Sequence, residues 1–142
     1  MKILYTAHAT SIGGRGGGTA KTSDSALDVK LDHPVEMGGK GDGVNPEQLF
    51  AIGYASCFLG AMKFVASKMT PPLKLAPESS TTAHVSFGAR DDGEGFGLEV
   101  VMDVNLPGVD KAAAKDLAAK AHVVCPYSHA TKGNIKVTTN IV

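Results

Sequence analysis

Two cysteines, Cys57 and Cys125, are the only thiols in 142 residues. Taken singly, each reads as an inert core residue. As a pair they are the set that thiol–peroxide chemistry needs. One thiolate attacks a peroxide oxygen, and a second thiol resolves the sulfenic acid as a disulfide. A thiol with a pKa of about 8.5 is only a few per cent ionised at neutral pH, and a neighbouring guanidinium raises that fraction. Arg15 lies among Gly13, Gly14, Gly16, Gly17 and Gly18, so its backbone can come close to whatever its guanidinium contacts. Arginine is also the side chain suited to fix an anion with two parallel hydrogen bonds. Glu47 reads first as a first-turn carboxylate that complements a helix dipole. It is also a reasonable counter-charge for Arg15 if that side chain is buried.

Other arrangements fit less well. His122, Cys125 and His129, with Cys57 as a distant fourth ligand, match no common zinc spacing, and Pro126 separates the two histidines. No metal is assigned. The glycine loop fails as a phosphate loop: it ends Ala20-Lys21-Thr22, and Arg15 stands where the first glycine of that motif belongs. No GxGxxG frame fits either. Its bland reading is a flexible hairpin tip.

The element that must position Cys57 is the longest helix-compatible run in the chain, residues 45–68. Asn45 suits the cap and Pro46 the first helical position. Leu49, Phe50, Ile52, Tyr54, Phe58, Met62 and Val65 cover enough of its circumference to predict a buried rather than merely amphipathic helix. Gly53, Ser56, Cys57 and Gly60 recur at spacings of three and four, a narrow face on which another backbone could pack closely.

Around this helix the chain alternates between hairpins and a second helix. Residues 3–11 suit a strand, and residues 19–31 a return segment ending in the alternation Leu27, Val29, Leu31. Pro71, Pro72 and Pro77 mark a crossing. Residues 81–87 and 96–104 read as strands joined by the loop 90–95. Asp110 caps a helix over 111–124, which Pro126 should stop. Residues 135–142 form a last strand. The pattern predicts one domain over 1–142 with an α+β fold: antiparallel sheets packed around a long buried central helix. One sheet covers only one side of such a helix, which predicts an intertwined homodimer.

Composition adds bounds. Fourteen basic and fourteen acidic residues cancel, so no net field argues for nucleic acid or an anionic membrane. The hydrophobic fraction is 43% and the charged fraction 20%, ordinary for a globular domain. The start, MKILYTAHATS, has too short an apolar run for a signal-peptide core. With no uninterrupted apolar run near the ~18 residues of a membrane span, the expected location is the cytoplasm.

Five segments carry a family resemblance. GGR (residues 13–15), NPEQLFAIGYASCF (45–58), GFGLEV (95–100), LPGVD (106–110) and CPYSHATKGNIKV (125–137) resemble, in order, the organic hydroperoxide resistance proteins, relatives of the osmotically inducible protein C group. The resemblance implies a homodimeric, cysteine-based peroxidase without metal, haem or other resident cofactor. Such proteins reduce organic and fatty-acid hydroperoxides to alcohols, with a lipoylated protein as the dithiol reductant. It implies that Cys57 is the peroxidatic cysteine and Cys125 the resolving one, with Arg15 and Glu47 organising thiolate and peroxide. Phe58, Met62, Val35 and Met37 are the apolar residues expected to receive an alkyl chain. The chain departs from the family pattern at Gly16, where an acidic residue is frequent, and in a longer segment at 69–77.

Glu47 and Cys57 are ten residues apart, about 15 Å along a straight helix, too far for a glutamate to reach. Either the helix is interrupted or Arg15 and Glu47 serve the Cys57 of a partner chain; the small-residue face favours the second. Two other classes use the same residues without turnover: a redox sensor, and a carrier of hydrophobic ligands.

Overall fold

The computed structural model describes residues 1–142 and contains two compact units, Met1–Leu49 and Phe50–Val142. The first holds an antiparallel sheet of three short strands in the order β1 (Ala9–Ile12), β2 (Thr19–Thr22) and β3 (Asp28–Lys30). The strand expected over 3–11 is confined to its end. Ile3, Leu4 and Tyr5 are exposed and have no pairing partner, so the local β-propensity of that segment has nothing to pack against.

Register in this sheet is set by the glycine tip. Ile12 pairs with Thr19 and Ala20 with Val29. Gly13, Gly14 and Gly17 have positive φ. At Gly18 a Cβ would sit 2.2 Å from the Ile12 carbonyl oxygen, so no larger residue fits the turn. Leu31 is the one deeply buried apolar residue of this unit. It bonds to Gly17 and Gly18 on one side and bridges to Val44 on the other. Beyond it, the Asp32 carboxylate accepts from the amides of His33, Lys40 and Asp42 and so shapes the loop that contains a 3-10 turn at Val35–Met37.

Helix α1 runs without interruption over Pro46–Lys68. Its start is a reciprocal cap: the Gln48 amide donates to Asn45 Oδ1 while the Asn45 amide donates to Gln48 Oε1, each at 2.9 Å. By length and mean hydropathy, 1.6 over eighteen residues, α1 could cross a membrane. Here one face, Tyr54, Phe58, Ala61, Met62 and Ala66, is the centre of the core. The other is not covered: Ile52 is 64% and Phe64 53% exposed. The all-round burial expected of this helix is therefore absent within one chain, because the second unit supplies a single sheet and one long helix.

That sheet has the order β4 (Ser80–Ala89), β5 (Phe96–Asn105) and β6 (Val137–Ile141). β4 and β5 form the expected antiparallel hairpin, but β6 pairs parallel to β5, so the sheet is mixed. A parallel return needs a long crossover, which helices α2 (Lys111–Val124) and α3 (Pro126–Thr131) supply. Val100, Met102 and Val104 point inward from β5 with period two, and Ala114, Leu117, Ala118 and Ala121 line the inner face of α2. The Asp110 carboxylate caps α2 by accepting from the amides of Ala112 and Ala113. Pro126 ends α2, as expected, but also starts α3, a helix the sequence pattern did not predict. The segment after α1 is anchored too: Leu73 donates its amide to the Ala66 carbonyl, and Met69, Leu73 and Leu75 pack on the core.

Candidate active site

Two constellations have chemical potential, one in each unit. In the first, the β1–β2 tip carries Arg15 and the opening turn of α1 carries Glu47. Both guanidinium nitrogens donate to the carboxylate, Nη1 to Oε2 at 3.1 Å and Nη2 to Oε1 at 2.9 Å. The pair is half-buried, with 32% of the arginine and 14% of the glutamate side chain exposed. Its bidentate geometry leaves the guanidinium orientation defined, a property a lysine would not have. Gly16 fits tightly here: a Cβ would lie 3.1 Å from His33 Nε2, so a larger residue has no room without a shift of the imidazole. Val35 and Met37, in the 3-10 turn of the same unit, are 66% and 42% exposed.

The second constellation is the thiol pair. Cys57 sits mid-way along α1 and is half-buried; Cys125 is fully buried at the junction of α2 and α3. The Cys125 thiol donates to Cys57 Sγ at 3.5 Å. A disulfide needs about 2.05 Å, so both thiols are free and within one short movement of bonding. Cys125 has an extended backbone, closes α2 through its amide to the Ala121 carbonyl, and opens α3 through its carbonyl to the His129 amide. It is a hinge residue between two helices.

Burial pushes the Cys57 thiol up, the Tyr127 backbone N–H pulls it down, and the adjacent Cys125 thiol pushes it up again. Within its own unit, then, the sulfur is desolvated and lacks a positive charge to hold its thiolate. No other expected substrate residue is open there. Phe58 and Met62 have no exposed surface, and the Phe58 ring packs 4.4 Å from the His122 ring. They belong to the core and present no face that an alkyl chain could touch.

Several residues beside the thiols were not singled out from the sequence. Tyr127 packs with tilted rings against Phe50 and Tyr54 at 6.0 and 5.8 Å and occupies the space a Gly53 side chain would need, its Oη lying 2.9 Å from a Cβ built there. The small-residue face of α1 thus receives α3 at Gly53, while Gly60 has open space. Beneath α3, Tyr54 Oη lies 3.1 Å from Ser128 Oγ and 3.2 Å from Thr131 Oγ1. His122, considered above as a metal ligand, instead has its Nδ1 on Ser128 Oγ and its Nε2 on Thr139 Oγ1, each at 2.8 Å. The available signal was Pro126: proline favours the first turn of a helix as much as it ends the one before.

Comparison with known proteins agrees with this fold. The profile of the OsmC-like protein family matches residues 39–140. An organic hydroperoxide resistance protein of Xanthomonas axonopodis pv. citri (strain 306) is 55% identical over 141 residues, spanning 99% of this chain and 96% of its own. The crystal structure of an organic hydroperoxide resistance protein from Legionella pneumophila matches with a TM-score of 0.89 at 42% identity, covering 99% of this chain and 98% of that one. One from Elizabethkingia anophelis matches at 0.88 and 44% identity, with the same coverage. The chain belongs to the organic hydroperoxide resistance proteins of the OsmC-like family.

Proposed function

We propose that the chain is a cysteine-based peroxidase that reduces organic hydroperoxides, fatty-acid hydroperoxides among them, to alcohols. The observation that carries this reading is the 3.5 Å approach of a half-buried thiol, Cys57, to a buried thiol at a helix junction, Cys125. The Cys57 thiolate attacks the distal peroxide oxygen; the O–O bond breaks, and the alkoxide takes a proton and leaves as alcohol. The sulfur, now a sulfenic acid, is attacked by the Cys125 thiolate. An S–S bond forms, the S–O bond breaks, and the hydroxide leaves as water. An external dithiol, such as the lipoyl group of a partner protein, reopens the disulfide by exchange and is itself oxidised.

Arg15 stabilises the thiolate and orients the peroxide, with Glu47 fixing the guanidinium by its two hydrogen bonds. The desolvated Cys57 needs such a cation, because burial alone suppresses its ionisation. Glu47 and Cys57 stand ten residues apart on an uninterrupted helix, about 15 Å. In this reading, Arg15 and Glu47 therefore act on the Cys57 of the partner in a homodimer. The exposed apolar side chains of α1, Ile52 and Phe64, support such an assembly. Val35 and Met37 offer apolar surface for the alkyl group and favour organic peroxides over hydrogen peroxide. The setting is the reducing cytoplasm, where exchange with a dithiol is sustained.

Peroxide-dependent oxidation of dihydrolipoamide tests this reading. Cumene hydroperoxide should drive turnover at least about tenfold faster than hydrogen peroxide, a difference of ~1.4 kcal/mol in transition-state binding. Equal rates, or no oxidation with either, would contradict it.

A further inference from the structure

The hydrogen bonds under α3 have a direction that follows atom by atom. Thr131 Oγ1 lies 3.0 Å from the Tyr127 carbonyl oxygen and 3.2 Å from that of Ser128. Carbonyls only accept, so the Thr131 hydroxyl proton is committed to them. Tyr54 Oη, next to Thr131 Oγ1, must then donate to it. Having given its proton, Tyr54 accepts from the Ser128 hydroxyl. Ser128 in turn accepts from His122, so the imidazole carries its proton on Nδ1. Nε2 is left as the acceptor for the Thr139 hydroxyl. Every proton in the chain has one place.

This order assigns the histidine tautomer and shows what it holds. The chain starts on β6 and α2, passes through α1, and ends on the first-turn carbonyls of α3. Three of its four hydroxyl members are almost wholly buried: Tyr54 is 0%, Ser128 6% and Thr131 7% exposed. Burial also keeps His122 neutral by pulling its pKa down, the state in which one nitrogen donates and the other accepts. The first turn of α3 is the part that matters for the thiols, since Cys125 is its N-cap and the Tyr127 N–H bonds to Cys57.

We infer that His122 is a positioning residue for disulfide closure: through Ser128 and Tyr54 it fixes the first turn of α3 and so holds the Cys125 sulfur against Cys57. The inference rests on the peroxidase reading, and specifically on its second step. A loosened α3 lets the Cys125 sulfur drift from the Cys57 sulfenic acid, which then persists and becomes open to further oxidation by peroxide to the sulfinic acid. The first step depends less on the chain, because only the Tyr127 N–H links it to α3.

The test follows closure after one equivalent of cumene hydroperoxide, by rapid acid quench and by trapping of sulfenic acid with dimedone. Ser128→Ala and His122→Gln, which lack the bond between Nδ1 and Ser128, should close about tenfold more slowly and accumulate trapped sulfenic acid. His122→Asn places an amide N–H where Nδ1–H stood and should close within about twofold of the wild type. Asn and Gln variants that behave alike, fast or slow, overturn the inference, as does Ser128→Ala closing at the wild-type rate. Nitrogen chemical shifts of His122 in the unaltered protein give an answer independent of folding: Nδ1–H agrees, and Nε2–H contradicts. If the wild type consumes the peroxide and forms no Cys57–Cys125 disulfide, the peroxidase reading itself fails, and the inference with it. A wild type that closes normally beside a normal Ser128→Ala removes the inference alone.

Discussion

The two compact units differ in what holds them together and in what they bring to chemistry. Residues 1–49 form a thin sheet with one deeply buried apolar side chain, Leu31, and a network of loop hydrogen bonds through Asp32. They carry the cation, Arg15, fixed by Glu47. Residues 50–142 enclose the continuous core and carry both thiols, one of which burial makes harder to ionise. The Arg15–Glu47 pair is kept where solvent still reaches. Thiols are kept where packing excludes water. A buried guanidinium would cost several kcal/mol in desolvation, whereas a buried cysteine packs as a small hydrophobe. In the proposed reaction, perturbing the unit that carries Arg15 should therefore change ionisation without changing the core.

The largest effect that can break this comparison is the loss of the cation. Arg15→Ala should lower peroxide turnover on the order of 10²-fold. It should also shift the pH at which Cys57 is alkylated upward, because the thiolate loses its stabilising charge while its desolvation remains. An unchanged alkylation profile would separate Arg15 from the thiol. Mixed dimers of Cys57→Ser chains with Arg15→Ala chains sharpen the point. They should recover about half of wild-type activity, one intact site of two, if the groups act across copies. No recovery would place both groups of a site in one chain.

The same substitution made in the two units should behave differently. Gly18→Ala places a methyl group against the Ile12 carbonyl, a backbone obstacle. It should destabilise the tip by about 1–3 kcal/mol and lower activity with it. Gly53→Ala meets the hydroxyl and the outer ring carbons of Tyr127, a side chain that can shift where a backbone cannot, and should cost less than about 1.5 kcal/mol. Urea denaturation of both variants checks the order; a larger loss at Gly53 would reverse the comparison. The smallest expected effect is on pH dependence. The folded-state pKa of His122 lies below its unfolded value because of burial, so the unfolded chain takes up the proton first as pH falls. Stability should therefore decline as pH drops through the ordinary histidine range, and His122→Asn should flatten that decline. A denaturation midpoint with the same slope in both proteins would remove the histidine from the account.

Much of this was legible in the sequence where a local rule and the tertiary context agree. The Asn45-Pro46 start of α1, the Asp110 cap of α2 and the period-two face of β5 are each dictated by a few adjacent residues. The pairing of Arg15 with Glu47 was legible as a charge requirement, and the structure brings them together. What escaped depends on long-range partners. The strand propensity of residues 3–8 was real but found no sheet to join. The parallel placement of β6 follows from the length of the crossover, not from its own residues. α3 is short, and the rule that stops α2 at Pro126 says nothing of a helix that starts there. Phe58 and Met62 looked like pocket residues because apolarity alone does not say which side of a helix faces a cavity. The contacts of His122 with Ser128 and Thr139 arise only when α3 and β6 fold against α2, so its sequence neighbours do not disclose them.

The central claim is that the two thiols exchange electrons with an organic peroxide. One equivalent of cumene hydroperoxide added to the reduced protein, followed by alkylation and peptide mass analysis, tests it most directly. Wild type should yield one equivalent of cumyl alcohol and a Cys57–Cys125 disulfide, with neither product in the Cys57→Ser variant. Peroxide consumed at the wild-type rate by Cys57→Ser, or by wild type with both cysteines still alkylatable, would contradict it.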